Sequence, residues 1–231
     1  MTNRFADITQ RNAAITAGLG LLLMTIFAIF ANFFVLESFI VPGSAAETAN
    51  NIMANDGLFR VGICSLIIVA ILDVLVAWAL YVFLKPVNKS LSLLAAWFRL
   101  VYATIFAAAL NNLVSVLHLL SGADYLTAFE PNQLHAQVML SLNAFFYGWA
   151  IAGVFFGLHL FVLGYLVFKS GYIPRIVGVL LIIASLGYLI DDFGKILLPN
   201  FDVTIAMFTF IGELIFMLWL LFKGVKVQRT Q

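Results

Sequence analysis

Residues 58–84 read LFRVGICSLIIVAILDVLVAWALYVFL, and this stretch decides the class of the fold. Only Arg60 and Asp73 carry a charge within it. A helix needs about 20 mostly apolar residues to cross the hydrocarbon core of a bilayer. The stretch is long enough and apolar enough to do so. We therefore predict a transmembrane helix that carries one acidic residue, Asp73, in its interior.

Five further stretches have the same character, and together with residues 58–84 they predict an all-α membrane protein with six transmembrane helices. Only 10% of the 231 residues are charged and 64% are hydrophobic, whereas about 25% are charged in soluble proteins. A water-soluble globule with so few charges would lack the polar groups to cover its surface. Residues 1–231 are predicted to form one membrane domain. The other five spans cover residues 13–39, 91–120, 134–168, 173–190 and 203–222.

Lysine and arginine are distributed unevenly between alternate connections, and this distribution predicts the orientation of the chain. With the N-terminus in the cytoplasm, the outer connections carry only Arg60 and Lys195. An even number of spans returns the C-terminus to the same side, so both ends are predicted to be cytoplasmic. The basic residues on the cytoplasmic side are Arg4, Arg11, Lys85, Lys89, Lys169, Arg175, Lys223, Lys226 and Arg229.

The first outer connection is predicted to contain a short helix that lies in the membrane interface. A Pro-Gly pair ends the first span, and Ser44 and Glu47 then have the spacing of a capping box. In a capping box each side chain accepts a hydrogen bond from the backbone N–H of the other residue. This spacing predicts a helix from about residue 45 to residue 55. The second outer connection, residues 121–135, is predicted to be partly irregular.

Four ionisable residues lie inside predicted spans at nearly the same depth: Asp73, Arg99, His159 and Glu213. At about 1.5 Å of rise per residue, each lies roughly 12–16 Å from the cytoplasmic end of its own span. A charge near the middle of a transmembrane helix costs about 2.5–3.5 kcal/mol on insertion scales, so such groups face protein or water and find partners. The four residues are therefore predicted to form a charged layer inside the bundle.

Two interpretations of this layer follow from the sequence. In the first, Asp73 pairs with Arg99 and His159 pairs with Glu213, and the two neutral pairs only fix how the helices pack. In the second, the layer is a site for a small molecule or a proton, with His159 as the natural acceptor because histidine titrates near neutral pH. The sequence leaves both interpretations open.

A second set of polar residues lies nearer the outer face. Asn111, Ser115 and His118 recur along one stripe of the third span, Arg60 lies near the outer end of the second span, and Asp191 follows the fifth. Hydrogen bonds between membrane helices average about 0.6 kcal/mol, so ordinary helix packing accounts for such residues. A water-filled vestibule lined by this outer polar region is the alternative.

The sequence contains no pattern of a known catalytic or metal site. The motifs HExxH, GxSxG, CxxC and the glycine-rich nucleotide loops are absent, and each of those chemistries needs its groups at a fixed spacing. Cys64 is the single cysteine. No catalytic residue, metal or cofactor is predicted, and an enzyme is not favoured. The net charge of +1 gives no reason to expect nucleic acid as a partner.

Several short stretches form a recognisable pattern: GLFRVGI (57–63), LD (72–73) with ALYV (79–82), AAWFRL (95–100), FFGLH (155–159), SGYIPR (170–175) and GYLID (187–191). In these stretches the chain resembles a bacterial membrane family catalogued as domain of unknown function 4386 (DUF 4386). The resemblance implies a protein of the bacterial cytoplasmic (inner) membrane and no assigned activity. The family-like stretches include Arg60, Asp73, Arg99, His159 and Asp191, whereas Glu213 lies outside them.

Two functional hypotheses remain. The first is a small-solute or proton-linked transporter or channel, in which the charged layer faces a hydrated cavity. The second is a membrane-embedded binding or structural accessory protein, which holds a lipid or another small molecule in a cavity lined by aromatic residues such as Trp78, Trp97 and Trp149. The lipid bilayer is the expected partner. The sequence also permits two further partners, an unidentified small molecule and a second copy of the chain.

Overall fold

A computed structural model of the chain describes residues 8–198, 201 and 203–224. Within these ranges every regular element is helical. Arg4, Lys226 and Arg229, which contribute to the predicted orientation, lie outside the described residues. The helices are α1 (Gln10–Phe39), α2 (Ala45–Ala54), α3 (Asp56–Leu84), α4 (Lys89–Leu119), α5 (Pro131–Lys169), α6 (Arg175–Leu197) and α7 (Ala206–Phe222).

Five of these helices, α1 and α3 to α6, are long enough and apolar enough to cross a membrane. The prediction of an all-helical chain with several membrane-spanning segments is thus confirmed. The counterpart of the predicted sixth span, α7, is apolar but shorter. It is interrupted at Phe210, between Ala206–Thr209 and Ile211–Phe222. A sixth full crossing and the cytoplasmic position of both ends stay predictions.

The six apolar helices form a closed ring in chain order. α1 packs on α3, α3 on α4, α4 on α5, α5 on α6 and α6 on α7, and α7 returns to α1. Large apolar side chains cover the outside of the ring, among them Phe34, Ile71 and Leu140, which are 64%, 63% and 69% exposed. Soluble monomers rarely expose contiguous apolar patches of this kind. This outer surface is therefore suited to contact with lipid tails.

The backbones of α5 and α6 approach each other directly at Gly164 and Gly178. A β-carbon placed on Gly178 would lie 2.6 Å from the backbone nitrogen of Phe168 and 2.7 Å from the carbonyl oxygen of Gly164. Small residues allow membrane helices to pack this closely. The two glycines therefore fix the spacing between α5, which carries His159, and α6.

The short helix predicted from about residue 45 to residue 55 is present as α2, but its capping box is only half formed. Ser44 Oγ accepts a hydrogen bond from the Glu47 backbone N–H at 3.4 Å. The Ser44 N–H donates to the Val41 carbonyl instead of to the Glu47 side chain. At the start of α5 the Gln133 side chain accepts a hydrogen bond from the Glu130 backbone N–H at 3.0 Å. This helix begins at residue 131, three residues before the predicted start.

α6 is longer than predicted, and its extra length changes the setting of Asp191 and Asp192. The predicted fifth span ends at residue 190, whereas α6 continues to Leu197. Both aspartates are buried, with 3% and 7% of their surface exposed, and they do not lie in solvent beyond the helix end. The Asp191 carboxylate accepts a hydrogen bond from the backbone at the start of α7, and the Asp192 side chain packs against α5. These two contacts stabilise the added turns of α6. The hydropathy of the segment alone does not reveal these contacts.

We expect Gly178→Ala to destabilise the bundle by about 1–3 kcal/mol, the usual cost of overpacking. The new methyl group would meet backbone atoms, which cannot move aside as a flexible side chain does. Thermal unfolding in detergent measures the change. Gly57→Ala is the matched control, because within the described chain a β-carbon there has no neighbour within 4 Å. Equal melting temperatures for the two variants would contradict the packing of α5 on α6.

Candidate functional site

Arg99 lies inside the ring and forms an ion pair with Asp73. Arg99 Nη2 is 2.7 Å from Asp73 Oδ1, and the two side chains are 2% and 0% exposed. Asp73 belongs to α3 and Arg99 to α4, and the short turn between these helices brings them side by side. The pairing predicted for these two residues is therefore present. Because both charges are buried, each depends on the other for its stability.

His159 of α5 completes a cluster of three residues with this ion pair. Its Nδ1 lies 2.8 Å from the carbonyl oxygen of Ala95, and its Nε2 lies 3.2 Å from Arg99 Nη1. A carbonyl only accepts hydrogen bonds, so Nδ1 carries the proton; a guanidinium only donates, so Nε2 accepts. The contacts therefore require the neutral Nδ1–H tautomer. In this form His159 adds no charge to the buried pair.

The remainder of the Arg99 guanidinium faces sulfur and aromatic groups. Arg99 Nη2 is 3.8 Å from the Met24 sulfur on α1, and Arg99 Cζ lies 5.4 Å from the centroid of the Phe156 ring on α5, within cation–π range. Among the described residues, Arg99 Nε and both oxygens of Asp73 have no partner with hydrogen-bond geometry, although the charged groups themselves are in contact. The cluster is charge-balanced but retains unused hydrogen-bonding capacity.

Among the described residues, Glu213 of α7 forms no ion pair or hydrogen bond with this cluster. The residue is half-buried, and its enclosed Oε1 has no hydrogen-bond partner in the described part of the chain. The predicted pairing of Glu213 with His159 is not formed, because both ring nitrogens of His159 are engaged by Ala95 and Arg99. Three members of the predicted layer are thus in direct contact, and Glu213 is not bonded to them.

The residues of the predicted outer polar region do not come together. Asn111, Ser115 and His118 are exposed on the outward face of α4, and Ser115 Oγ donates to the Asn111 carbonyl of its own helix. Arg60 is also exposed and pairs with Asp56, one turn earlier on α3, at 2.7 Å. Because the α4 stripe faces away from the bundle, it does not line a vestibule between the helices.

Asp191 has a structural role that its position in the sequence did not reveal. Its carboxylate oxygens accept hydrogen bonds from the backbone N–H groups of Ile205 at 2.9 Å and Ala206 at 2.7 Å. The first turn of a helix has N–H groups without partners in the helix, and a carboxylate there also faces the positive end of the helix dipole. Asp191 of α6 therefore caps α7. Cap and helix are 14 residues apart, which is too far for a local motif to identify.

Two clefts open on the described surface, and none of the four layer residues lines either of them. The first has a volume of about 250 Å³ and is bordered by α5, α6 and residues 198 and 201, with Asn143, Tyr147 and Lys195 as its polar lining. The second, about 260 Å³, lies between α2 and the connection from α4 to α5 and is mostly apolar, with Met53 and Leu126 in its wall. The hydrated cavity predicted around the layer does not correspond to either cleft.

A family model described as Domain of unknown function (DUF4386) matches residues 16–224. The chain belongs to this family. The match extends over the whole charged cluster and also over Glu213. An uncharacterised protein of Archaeoglobus fulgidus is similar to this DUF4386 chain, with 40% identity over 168 residues, which is 73% of this chain and 86% of that protein. No solved structure matches the chain. The function of this DUF4386 protein must therefore be inferred from the chemistry of its own residues.

In the DUF4386 chain, we expect Asp73→Leu to destabilise the bundle by about 3–5 kcal/mol, because it leaves the Arg99 charge buried and unpaired. The double variant Asp73→Leu with Arg99→Leu should recover most of this loss, since no charge then remains at that position. Thermal unfolding of both purified variants measures the difference. A double variant that is no more stable than the single one would show that the ion pair does not govern stability.

We expect Asp191→Ala to loosen the start of α7 at a cost of about 0.5–2 kcal/mol, the usual range for a lost helix cap. Hydrogen exchange at the Ile205 and Ala206 amides, followed by mass spectrometry, measures the effect directly. Asp191→Asn should have a smaller effect, because its amide oxygen can accept from one of the two N–H groups and its amide nitrogen from neither. Exchange that is equally slow in the alanine variant would contradict the capping role.

Proposed function

We propose that this DUF4386 protein is a proton-linked transporter of a small solute. In this proposal, Glu213 and the cluster of Asp73, Arg99 and His159 couple the binding of a proton to a rearrangement of the helices. The observation that carries the proposal is the enclosed Oε1 of Glu213, which has no hydrogen-bond partner among the described residues. It belongs to an additional carboxyl in a bundle whose buried Asp73–Arg99 pair is already neutral.

The charge balance of the buried groups supports this role for Glu213. Asp73 and Arg99 cancel each other, and His159 is neutral in the tautomer that its contacts require. An ionised Glu213 would give the set a net charge of −1, whereas a protonated Glu213 leaves it neutral. An unpaired charge is costly to bury. Loss of the Glu213 proton therefore favours a different arrangement of the neighbouring charges.

In this proposal Arg99 can pair with either of two acids on different helices, Asp73 and Glu213. While Glu213 holds a proton, Arg99 stays paired with Asp73 of α3. When Glu213 releases the proton, its carboxylate attracts the guanidinium towards α7. A proton on Asp73 has the same effect, because it removes the charge that holds Arg99 to α3. Proton binding thus biases the choice between two arrangements of the bundle, which is the energetic requirement for a switch.

The form of α7 also favours transport. The helix is interrupted at Phe210, less than one turn before Glu213. Discontinuous membrane helices are a recurring feature of substrate and ion sites in secondary transporters, where the break frees backbone groups to bind. Glu213 therefore lies directly after an interruption of the α7 backbone.

A purely structural ion pair accounts for Asp73, Arg99 and His159, which are buried and mutually bonded. It does not account for Glu213, whose buried Oε1 has no partner among the described residues. The described arrangement corresponds, in our proposal, to a closed state of the transporter. The hydrated cavity expected around the layer would then belong to the open state.

The alternative of a binding or accessory protein predicted a cavity lined by tryptophans, and the described structure has no such cavity at these positions. Trp78 and Trp97 are exposed on the outside of the ring. Trp149 packs in the interior against Phe106 and Phe145, with ring centroids 5.3 Å and 5.6 Å apart. The aromatic residues thus fill the bundle or face outward, and they do not enclose a ligand site.

We expect Glu213→Gln to slow proton-coupled flux by about 10²-fold or more, which is the scale of a positioned proton-transfer group. Glutamine has nearly the same shape as glutamic acid but takes up no proton. Purified protein in vesicles with an entrapped pH-sensitive dye provides the measurement. A pH gradient is imposed, and a panel of amino acids, sugars, carboxylic acids and nucleosides is supplied in turn.

The matched control for this experiment is Glu37→Gln, which changes an exposed carboxyl on α1 in the same way. It should carry protons at the wild-type rate. Two outcomes would refute the proposal: wild-type vesicles that keep the gradient as long as protein-free vesicles with every solute, or equal fluxes in the two glutamine variants.

A further inference from the structure

The cleft at the C-terminal end of α6 combines a positive charge, two hydrogen-bonding side chains and apolar walls. We propose that this cleft binds a small carboxylate with an apolar body. The inference rests on the proposed function, because it names the class of solute that the protein would carry and the place where the solute binds. The lining residues that define the site are Asn143, Phe146, Tyr147, Lys195, Leu198 and Phe201.

The polar side of the cleft is formed by two neighbouring helices. Asn143 and Tyr147 lie one turn apart on the same face of α5, and both line the cleft together with Lys195 of α6. Both α5 residues are exposed, so the Asn143 amide and the Tyr147 hydroxyl can donate hydrogen bonds to a bound solute. An oxyanion in the cleft would thus meet an ammonium, an amide and a phenol.

The charge of Lys195 is available to such an anion. Its Nζ is 3.9 Å from Asp192 Oδ1, which is too long for a hydrogen bond, and an ammonium has three N–H donors. The Asp192 carboxyl packs against Gly153 of α5 and is not among the described residues that line the cleft. Asp192 therefore lies behind Lys195 without taking the place of a ligand.

Helix chemistry alone accounts for Lys195 but not for the rest of the cleft. A cation in the last turn of a helix is stabilised by the negative end of the helix dipole, and α6 ends at Leu197. The dipole gives no reason for an amide and a phenol on the neighbouring helix at the same cleft. The convergence of the three side chains is the feature that indicates a ligand.

The walls and the size of the cleft indicate what kind of body the anion carries. Phe146, Leu198 and Phe201 supply apolar surface beside the polar groups. The volume of about 250 Å³ is slightly below the roughly 300–1,000 Å³ of pockets for drug-sized ligands. The single lysine matches a single negative charge. A small monocarboxylate satisfies these conditions, whereas the acyl chains of a phospholipid would have to lie outside the cleft.

The cleft also touches the connection that leads into α7. A β-carbon on Gly194 would lie 2.5 Å from two atoms of the Phe201 ring, so this ring lies directly on the backbone of α6. The same connection enters α7 at Ala206, whose backbone N–H bonds to Asp191. A solute that packs against Phe201 thus contacts the segment between α6 and the helix that carries Glu213.

A carboxylate is also the solute class that suits coupling to one proton. Carboxylic acids of ordinary pKa are ionised at neutral pH, so the solute carries one negative charge. The proton that Glu213 takes up in the proposed function carries one positive charge. The membrane potential acts on the net charge that crosses, and the two charges cancel. Transport of both together is therefore not opposed by the potential.

The test measures binding of radiolabelled benzoate and hexanoate to the purified protein by equilibrium dialysis in detergent. Protein-free micelles correct for uptake by the detergent. Benzoate has one carboxylate on an apolar ring, and benzamide has nearly the same shape without the charge. We expect saturable binding of a carboxylate, and benzamide should compete at least about 10-fold more weakly, because hydrogen bonds to a charged group are the stronger ones.

Variants of the polar lining should weaken this binding in proportion to what each group contributes. Lys195→Gln should reduce the affinity for benzoate by about 10-fold or more, and Lys195→Arg, which keeps the charge, should bind better than Lys195→Gln. Tyr147→Phe and Asn143→Ala should each reduce the affinity by roughly 3–10-fold, the effect of one lost hydrogen bond.

Two controls separate the site from a general effect of charge or folding. Arg60→Gln removes an exposed cation near the start of α3, and Tyr125→Phe removes an exposed hydroxyl in the connection between α4 and α5. Both variants should bind benzoate as the wild type does. Melting temperature and helix content identify any variant that is misfolded. The remaining variants of the cleft then decide the outcome.

Equal benzoate affinities in the wild type, Lys195→Gln and Tyr147→Phe would overturn the site, as would the absence of saturable binding of both carboxylates. In either case, Glu213-dependent proton flux with another solute would still support transport. Carboxylate binding that depends on Lys195, in a protein without solute-driven proton flux, would have the opposite meaning: the site exists and the proposed transport does not.

A phospholipid headgroup is the other source of a single negative charge beside apolar groups. Native mass spectrometry of the gently solubilised protein distinguishes it from a small carboxylate. A bound anionic phospholipid that is lost in Lys195→Gln and is not displaced by benzoate would assign the cleft to lipid and overturn the carboxylate. Displacement of such a lipid by benzoate but not by benzamide would support the carboxylate.

Discussion

The contact between Arg99 and Asp73 is the interaction on which the rest of the structure depends. Each charge alone would cost about 2.5–3.5 kcal/mol near the middle of a membrane helix, and the two can be buried only together. Their contact therefore fixes how α3 and α4 are rotated about their axes. His159 and Met24 then extend the same constraint to α5 and α1. One guanidinium determines which faces of four helices point inward.

The ring has one side, formed by α5 and α6, that is packed tightly, and a second side, formed by α7, that is packed less tightly. α5 and α6 meet backbone to backbone at Gly164 and Gly178, and such a contact permits little movement. α7 is shorter, interrupted at Phe210, and held at its start by the carboxylate of Asp191. Glu213, the residue of the predicted layer that does not join the charged cluster, belongs to this second side. A neutral cluster on rigid helices and an additional acid on a less regular helix form a reasonable basis for a proton-driven change.

The buried acids of this protein illustrate that similar residues can have different physical roles. Asp73 balances a charge, Asp191 caps a helix, and Asp192 and Glu213 have neither of these uses. The distinction depends on the partners of each carboxyl group and not on its depth or its burial. Asp73 and Asp191 are therefore assigned to stability, and the proposed function rests on Glu213.

The sequence by itself determined that the chain is helical and membrane-embedded, where most of its spans lie, and which four ionisable residues lie inside them. Hydropathy and the length of each apolar run carry that information, because they are local properties. Only the tertiary structure decided that Arg99 bonds His159, that Glu213 does not pair with His159, that the stripe from Asn111 to His118 faces outward, and that Asp191 caps α7. Helical periodicity places residues on a face of their own helix. It does not specify which helix that face meets, and this is set by contacts between residues that lie far apart in the chain.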